Sequence, residues 1–196
     1  MNTPGSNAYD DKDKLNESVE QFSKPKTTTL IYVFNPKGEM LLATKKTTQS
    51  AFDISLEKVN TAWGKQETGE TVAECALREL KDEFGIIASE ADLIPAGRIR
   101  FHFETKVNWD QDCHIYKIIN YTGTYKDSSE MVDISYYDTN NPPYERMRES
   151  DKQWLPDMLA GEEINDVFYH TDKGKVLERK KLTNPDDNTR LLFWTE

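Results

Sequence analysis

Residues 64–86 read GKQETGETVAECALRELKDEFGI, and this stretch decides how the rest of the chain is interpreted. Thr71 with Glu74 three residues on forms a capping box, which predicts a helix beginning at about Val72. Ala73, Ala76, Leu77, Leu80 and Phe84 recur at helical spacing and give one apolar stripe. Gly85 stands where a glycine would end the helix. A different face carries Glu79, Asp82 and Glu83, whose carboxylates lie three and four residues apart. Each like-charge pair of this kind costs about 0.2–0.5 kcal/mol in an isolated helix. A divalent cation among them relieves that repulsion, and hard oxygen donors suit Mg²⁺ or Mn²⁺. A lone Glu-x-x-Asp-Glu would read more simply as a solvated acidic face.

The longer spacing favours the metal. Gly64, Glu70, Arg78-Glu79-Leu80, Asp82-Glu83 and Gly85-Ile86 resemble the Nudix box, the signature of the Nudix hydrolases. The departure is Asp82, where the family usually has Glu. The resemblance implies an α/β (α+β) fold, an α/β/α sandwich around a mixed sheet. It also implies a Mg²⁺-dependent hydrolase of phosphoanhydride bonds, with Mn²⁺ able to substitute. Glu79, Asp82 and Glu83, a carbonyl near Gly64, and Glu130 are the expected metal residues. Glu83 or Glu130 is expected to activate water, and Arg78 to pair with Glu70.

The composition sets limits. A length of 196 residues suits one domain. The net charge of −10 argues against a long nucleic-acid partner, which wants a basic face. It is compatible with a nucleotide substrate if the cation arrives with the phosphates. No apolar run reaches membrane-spanning length, and no basic-then-apolar leader opens the sequence. Two cysteines, Cys75 and Cys113, fall in separate expected elements, which points to a reducing cytoplasm rather than a disulfide. Monomer and homodimer are both compatible with the sequence.

Residues 1–26 are polar and read as a loose or disordered arm, with 15–22 the place for a short helix. Residues 27–182 form the expected domain, and 183–196 a tail ending in Leu191-Leu192-Phe193-Trp194. A hairpin is predicted from strands at 30–34 and 40–44 across Asn35-Pro36-Lys37-Gly38. A polar loop over 45–60 follows. Further strands are expected at 93–103 and 113–125, a helix over 151–160, and a hairpin from 167–171 and 176–182.

From about Thr29 to Leu182 the chain is similar to the oxidised-purine nucleoside triphosphate hydrolases, of the 8-oxo-dGTP diphosphatase type. That likeness implies a base pocket from Thr29, Lys45, Asn60, the pair Phe101 and Phe103, Met131 of Ser129-Glu130-Met131, and the segment Met147–Pro156. Within that segment the family's stacking Trp aligns with Arg148 and the first of two Asp residues with Ser150, which leaves Asp151. An Arg can stack through its guanidinium plane, and one carboxylate can accept from a base N–H. Phe101 and Phe103 also fit an ordinary core pair, and Asp151 also fits a helix cap. A nucleotide-sugar or dinucleotide polyphosphate hydrolase, and a non-catalytic binding module, remain alternatives. So does an isopentenyl-diphosphate isomerase, whose Cys/Glu arrangement is not found in the sequence.

Overall fold

Strand β1 (Lys26–Phe34) is buried without interruption from Thr28 to Val33. A strand covered on both faces reads as a continuous apolar run rather than an alternation, as Leu30 to Phe34 do. The computed structural model describes residues 24–46 and 57–182. The arm up to residue 23, residues 47–56 of the polar loop and the Leu191–Trp194 tail lie outside the described residues.

The remaining elements are β2 (Met40–Lys45), β3 (Val59–Asn60), β4 (Ala62–Lys65), helix α1 (Val72–Phe84), β5 (Ile94–Phe103), β6 (Gln111–Ile118), β7 (Met131–Tyr137), helix α2 (Asp151–Leu159), β8 (Ile164–His170) and β9 (Val176–Lys181). Among the described residues nine strands join in one sheet of order β3-β2-β1-β6-β5-β8-β9, with β4 added to β1 and β7 to β2. β1 pairs parallel with β6 and β5 with β8, and the other pairs are antiparallel. The sheet is therefore mixed.

Period-two alternation sends neighbouring side chains to opposite faces. Ile31, Val33, Leu41 and Ala43 pack with Ala76, Leu80 and Phe84 of α1. Leu30, Tyr32, Met40 and Leu42 pack with Trp154, Leu155 and Met158 of α2. A helix thus covers each face, the expected α/β/α sandwich. The α1 ends follow the sequence reading. Glu74 N–H donates to Thr71 Oγ1 at 3.1 Å, and Thr71 N–H to the Glu74 carboxylate at 2.7 Å. Gly85 turns left-handed, with φ 74°, and closes onto the Lys81 carbonyl.

Several boundaries differ from expectation. β6 begins at Gln111, after a 3-10 turn at Val107–Trp109, and stops at Ile118 instead of running to 125. Gly123, at φ 88°, turns the chain there, and Thr122 bridges to Ile87. β3 and β4 occupy ground read as loop and motif. β7 was not expected as a strand. Asp133 has a positive φ of 55°, and its partner β2 changes register between Leu42 and Thr44, which hides the alternation. Pro156 sits inside α2. That helix is clamped from the C-terminal hairpin: Arg179 of β9 donates to Asp166 of β8 and to Asp157 of α2, both at 2.6 Å. Among the described residues no helix is long and apolar enough to cross a membrane.

Gly97 pairs with Ile164 where β5 meets β8, at φ 123°. A Cβ there would lie 2.0 Å from the Ile164 carbonyl oxygen. Gly97→Ala is expected to lower stability by about 2–4 kcal/mol, read as a fall in denaturant midpoint. An unchanged midpoint would show that the β5–β8 seam tolerates a side chain.

Candidate functional site

The acidic face of α1 meets the end of β4 and the start of β7. Glu83 is the buried member, only 4% exposed. Its carboxylate accepts the Trp63 backbone N–H at 2.7 Å, which ties α1 to β4. Burial pushes the Glu83 carboxyl up to about 8, and the charges of Glu79 and Glu130 add to this. The Trp63 N–H and Lys45 oppose it. Lys45 reaches the same place from β2, with Nζ 3.9 Å from Glu83 and 3.7 Å from Glu130. Its ammonium lies over the Trp63 ring, 5.1 Å from the centroid.

Glu79 lies one turn earlier and is partly buried, and burial raises its carboxyl too. A Cβ on Gly64 would fall 1.9 Å from the Glu79 carboxyl carbon. Only glycine lets the helix carboxylate lie against this strand, which accounts for the glycine opening the motif. Asp82 is exposed on the same helix, close enough for its charge to raise Glu79 further.

Arg78 organises the approach. Its Nε and one terminal nitrogen donate to the two oxygens of Glu70, at 3.0 and 2.7 Å. A further bond reaches the Lys65 carbonyl at 3.1 Å, and the other terminal nitrogen holds Glu79 at 2.7 Å. The Arg78 bonds hold the Glu70 carboxyl down at about 2. Such a planar fork fixes geometry as well as charge. It clamps the loop before α1 onto the helix and aims Glu79.

Among the described residues no three carboxylate, imidazole or thiol groups close around one point as a metal cage. Arg78 is bonded to Glu79, and Lys45 lies between Glu83 and Glu130. The donor set nevertheless suits a hard divalent cation. All its side chains offer oxygen, the Glu79 carboxylate lies against the Gly64 backbone, and Glu83 is a buried carboxylate whose neighbours add negative charge.

The opposite face of the sheet carries a second cluster of buried polar groups. Asp151 opens α2, and its carboxylate accepts the Trp154 indole N–H at 3.1 Å and the Arg148 backbone N–H at 3.3 Å. Ser150, not Asp151, is the N-cap residue, so the simple capping role does not apply. Burial raises the Asp151 carboxyl, and Arg148 opposes it. Burial also raises the Tyr32 hydroxyl, with Asp151 adding to it, and lowers His170 to about 4, with Arg148 adding to it. The charge of Arg148 is thus felt by Tyr32, Asp151 and His170 alike. Among the described residues, Tyr32 OH, Gln111 Oε1, Arg148 Nε and His170 Nδ1 are buried without a hydrogen-bond partner. An unmet buried polar group costs roughly 1–3 kcal/mol, so this end of the face carries an unrelieved polar cost.

The residues expected to share one base pocket are divided by the sheet. Phe101 and Phe103 lie on the α2 side, where Phe103 stacks on His170 at 5.3 Å and meets Trp109 at 5.8 Å. Arg148 and Asp151 are on that side too. Met131 is fully buried in the α1-side cluster. Thr29 turns its hydroxyl toward the Cys75 thiol of α1, at 3.7 Å. The alternation of β1 and the irregular register of β7 set this division. Asn60 is buried, and its side-chain oxygen accepts the next residue's N–H at 2.8 Å. Lys45 is engaged with carboxylates rather than open to a nucleotide. Tyr32, Trp63, Gln111 and His170 were not singled out from the sequence. Trp63 acts through its backbone N–H, which no residue type reveals. The other three looked like strand residues, and the signal was their polar atoms on a face otherwise apolar.

The family model for the NUDIX domain matches residues 24–158. The chain is 33% identical over 157 residues to the "Oxidized purine nucleoside triphosphate hydrolase" of Danio rerio, covering 79% of this chain and 93% of that protein. It is 28% identical over 149 residues to the protein of the same name from Mus musculus, covering 76% and 89%. A crystal structure of a MutT protein from Bacillus halodurans superposes with a TM-score of 0.66 at 19% identity, covering 79% of this chain and 96% of that one. At that identity the likeness speaks for the fold.

The raised Glu83 carboxyl has a consequence for stability in metal-free buffer. A carboxyl near 8 in the folded chain and near 4.3 in the unfolded one favours folding while protonated. That contribution is complete below about pH 4 and is lost as pH rises toward 8. Glu83→Gln keeps an acceptor for the Trp63 N–H and removes the charge. In EDTA its melting temperature should exceed the parent's by a margin that grows from pH 5 to pH 8. A constant or shrinking margin would place the Glu83 charge in a solvated setting.

Proposed function

The chain belongs to the Nudix family, hydrolases of phosphoanhydride bonds, and on that footing we propose that it cleaves a purine nucleoside triphosphate to the monophosphate and pyrophosphate, with Mg²⁺ required. The observation that carries the reading is the buried Glu83, held by a backbone N–H beside Glu79 and Glu130. The names of the two relatives support a purine substrate, oxidised bases included.

A divalent cation held by Glu79, Glu83 and Glu130, with Asp82 and a carbonyl at Gly64 in support, would neutralise the polyphosphate. Mn²⁺ meets the same donor requirements. Glu130, largely exposed, and Glu83 are the carboxylates placed to take the proton of the attacking water. Arg78 and Glu70 position Glu79 rather than touch substrate. On the other face Asp151 accepts from the base, with Arg148, Phe101 and Phe103 beside it. Two buried free thiols suit a reducing cytoplasm.

The test is a chromatographic assay of nucleotide products over oxidised and unmodified purine triphosphates, pyrimidine triphosphates, nucleotide sugars and dinucleotide polyphosphates, with Mg²⁺ and with EDTA. Turnover of purine triphosphates that EDTA abolishes is expected. Turnover confined to the diphosphate-linked compounds would overturn the substrate, and full activity in EDTA the metal.

Asp151→Ala should lower kcat/KM for purine triphosphates about ten- to a hundredfold, since a charge-assisted bond contributes about 1.5–3 kcal/mol. A pyrimidine triphosphate should change much less. The variant should also melt lower, because the Trp154 indole N–H loses its acceptor. An equal kinetic loss on all bases would remove Asp151 from the binding site.

A further inference from the structure

Lys45 is a charged side chain only 5% exposed, expected beside the nucleotide and found between two carboxylates. Its backbone is fixed on both sides. Its N–H donates to the Lys58 carbonyl at 2.9 Å, its carbonyl accepts from Glu57 at 3.0 Å, and the residue pairs with Met131 of β7. The next residue, Lys46, donates its N–H to the Glu130 carbonyl at 2.7 Å, so Lys45 and Glu130 are carried together. The ammonium stands 3.9 Å from Glu83 and 3.7 Å from Glu130. Both separations exceed the roughly 2.7–2.9 Å of a committed charge-assisted bond. The ammonium is shared between two carboxylates and rests on the Trp63 ring.

We propose that the Lys45 ammonium is a resident counter-cation, which holds Glu83 and Glu130 together in the absence of a divalent ion and competes with that ion for them. The inference rests on the metal-site reading above. With the ammonium gone, no positive charge would stand between Glu83 and Glu130, which accounts for a lysine where a hydrophobic residue would pack as well. A divalent ion arriving among the same oxygens repels the ammonium. The flexible four-carbon stem then lets it turn toward a polyphosphate. Metal and triphosphate thereby become coupled ligands, and linkage requires that each tighten the binding of the other. Lys45 is in this sense a positioning residue that sets the order of filling.

The experiment is a Mn²⁺ titration of the full chain by electron paramagnetic resonance, with and without a non-hydrolysable triphosphate. Lys45→Met keeps the stem over Trp63 and removes the charge. It should bind Mn²⁺ alone about tenfold more tightly than the parent, since one nearby positive charge is gone. It should also lose most of the enhancement that the triphosphate gives the parent. Its melting temperature in EDTA should fall and recover with Mn²⁺. Lys45→Arg, which keeps the charge, should bind Mn²⁺ like the parent. If Lys45→Met does not fold, Lys45→Gln carries the same expectation. Equal or weaker Mn²⁺ binding by the neutral variant is what a purely structural lysine would give, and it would overturn the proposal. If the parent binds no Mn²⁺ either, the metal-site reading falls and this inference with it.

Discussion

The hydrogen bond from the Trp63 backbone N–H to the Glu83 carboxylate joins the fold and the chemistry in one contact. It seats the last turn of α1 against β4 and takes a carboxylate out of water to do so. Desolvation then raises the cost of the Glu83 charge, and each neighbouring feature bears on that cost. Lys45 supplies a compensating charge, Gly64 yields space for Glu79, and Arg78 turns Glu79 and Glu70 into one rigid unit. A helix docked by apolar contacts alone would not need this arrangement. The apolar stripe of Ala76, Leu80 and Phe84 anchors α1, and the polar contacts set its register.

The opposite face is stabilised by different means. Trp154 is fully buried and meets Tyr32 edge to face at 5.8 Å. Arg179 reaches from β9 to hold Asp157 of α2, so the C-terminal hairpin braces the helix that presents Asp151. Between these supports lie buried polar atoms with no partner among the described residues. A core with such groups is less stable than an apolar one, and that deficit is a common mark of a surface shaped for a ligand.

Much of this was legible in the sequence. The α1 helix, its caps and its acidic face follow from local rules acting within one turn: Thr71 with Glu74, Gly85 after Phe84, and the spacing of Glu79 and Glu83. The pairing of Arg78 with Glu70 was also expected, and both bonds are present. What escaped depended on contacts between distant segments. β7 is irregular at Asp133 and is a strand because β2 offers it an edge. β3 and β4 are short and owe their form to β2 and β1. The division of Thr29 and Met131 from Phe101 and Asp151 cannot be read from order along the chain. It depends on which face each strand position takes, and one register shift reverses that.

The sheet also acts as insulation. Residues of β1 belong alternately to the carboxylate side and to the Asp151 side. Replacements at Tyr32, Gln111 or His170 fall on the face away from Glu79 and Glu83. An insertion of one residue in β1 would instead exchange its two sets of side chains in a single step. Such a chain is free to diversify by substitution on one side, while the length of its central strand is held constant.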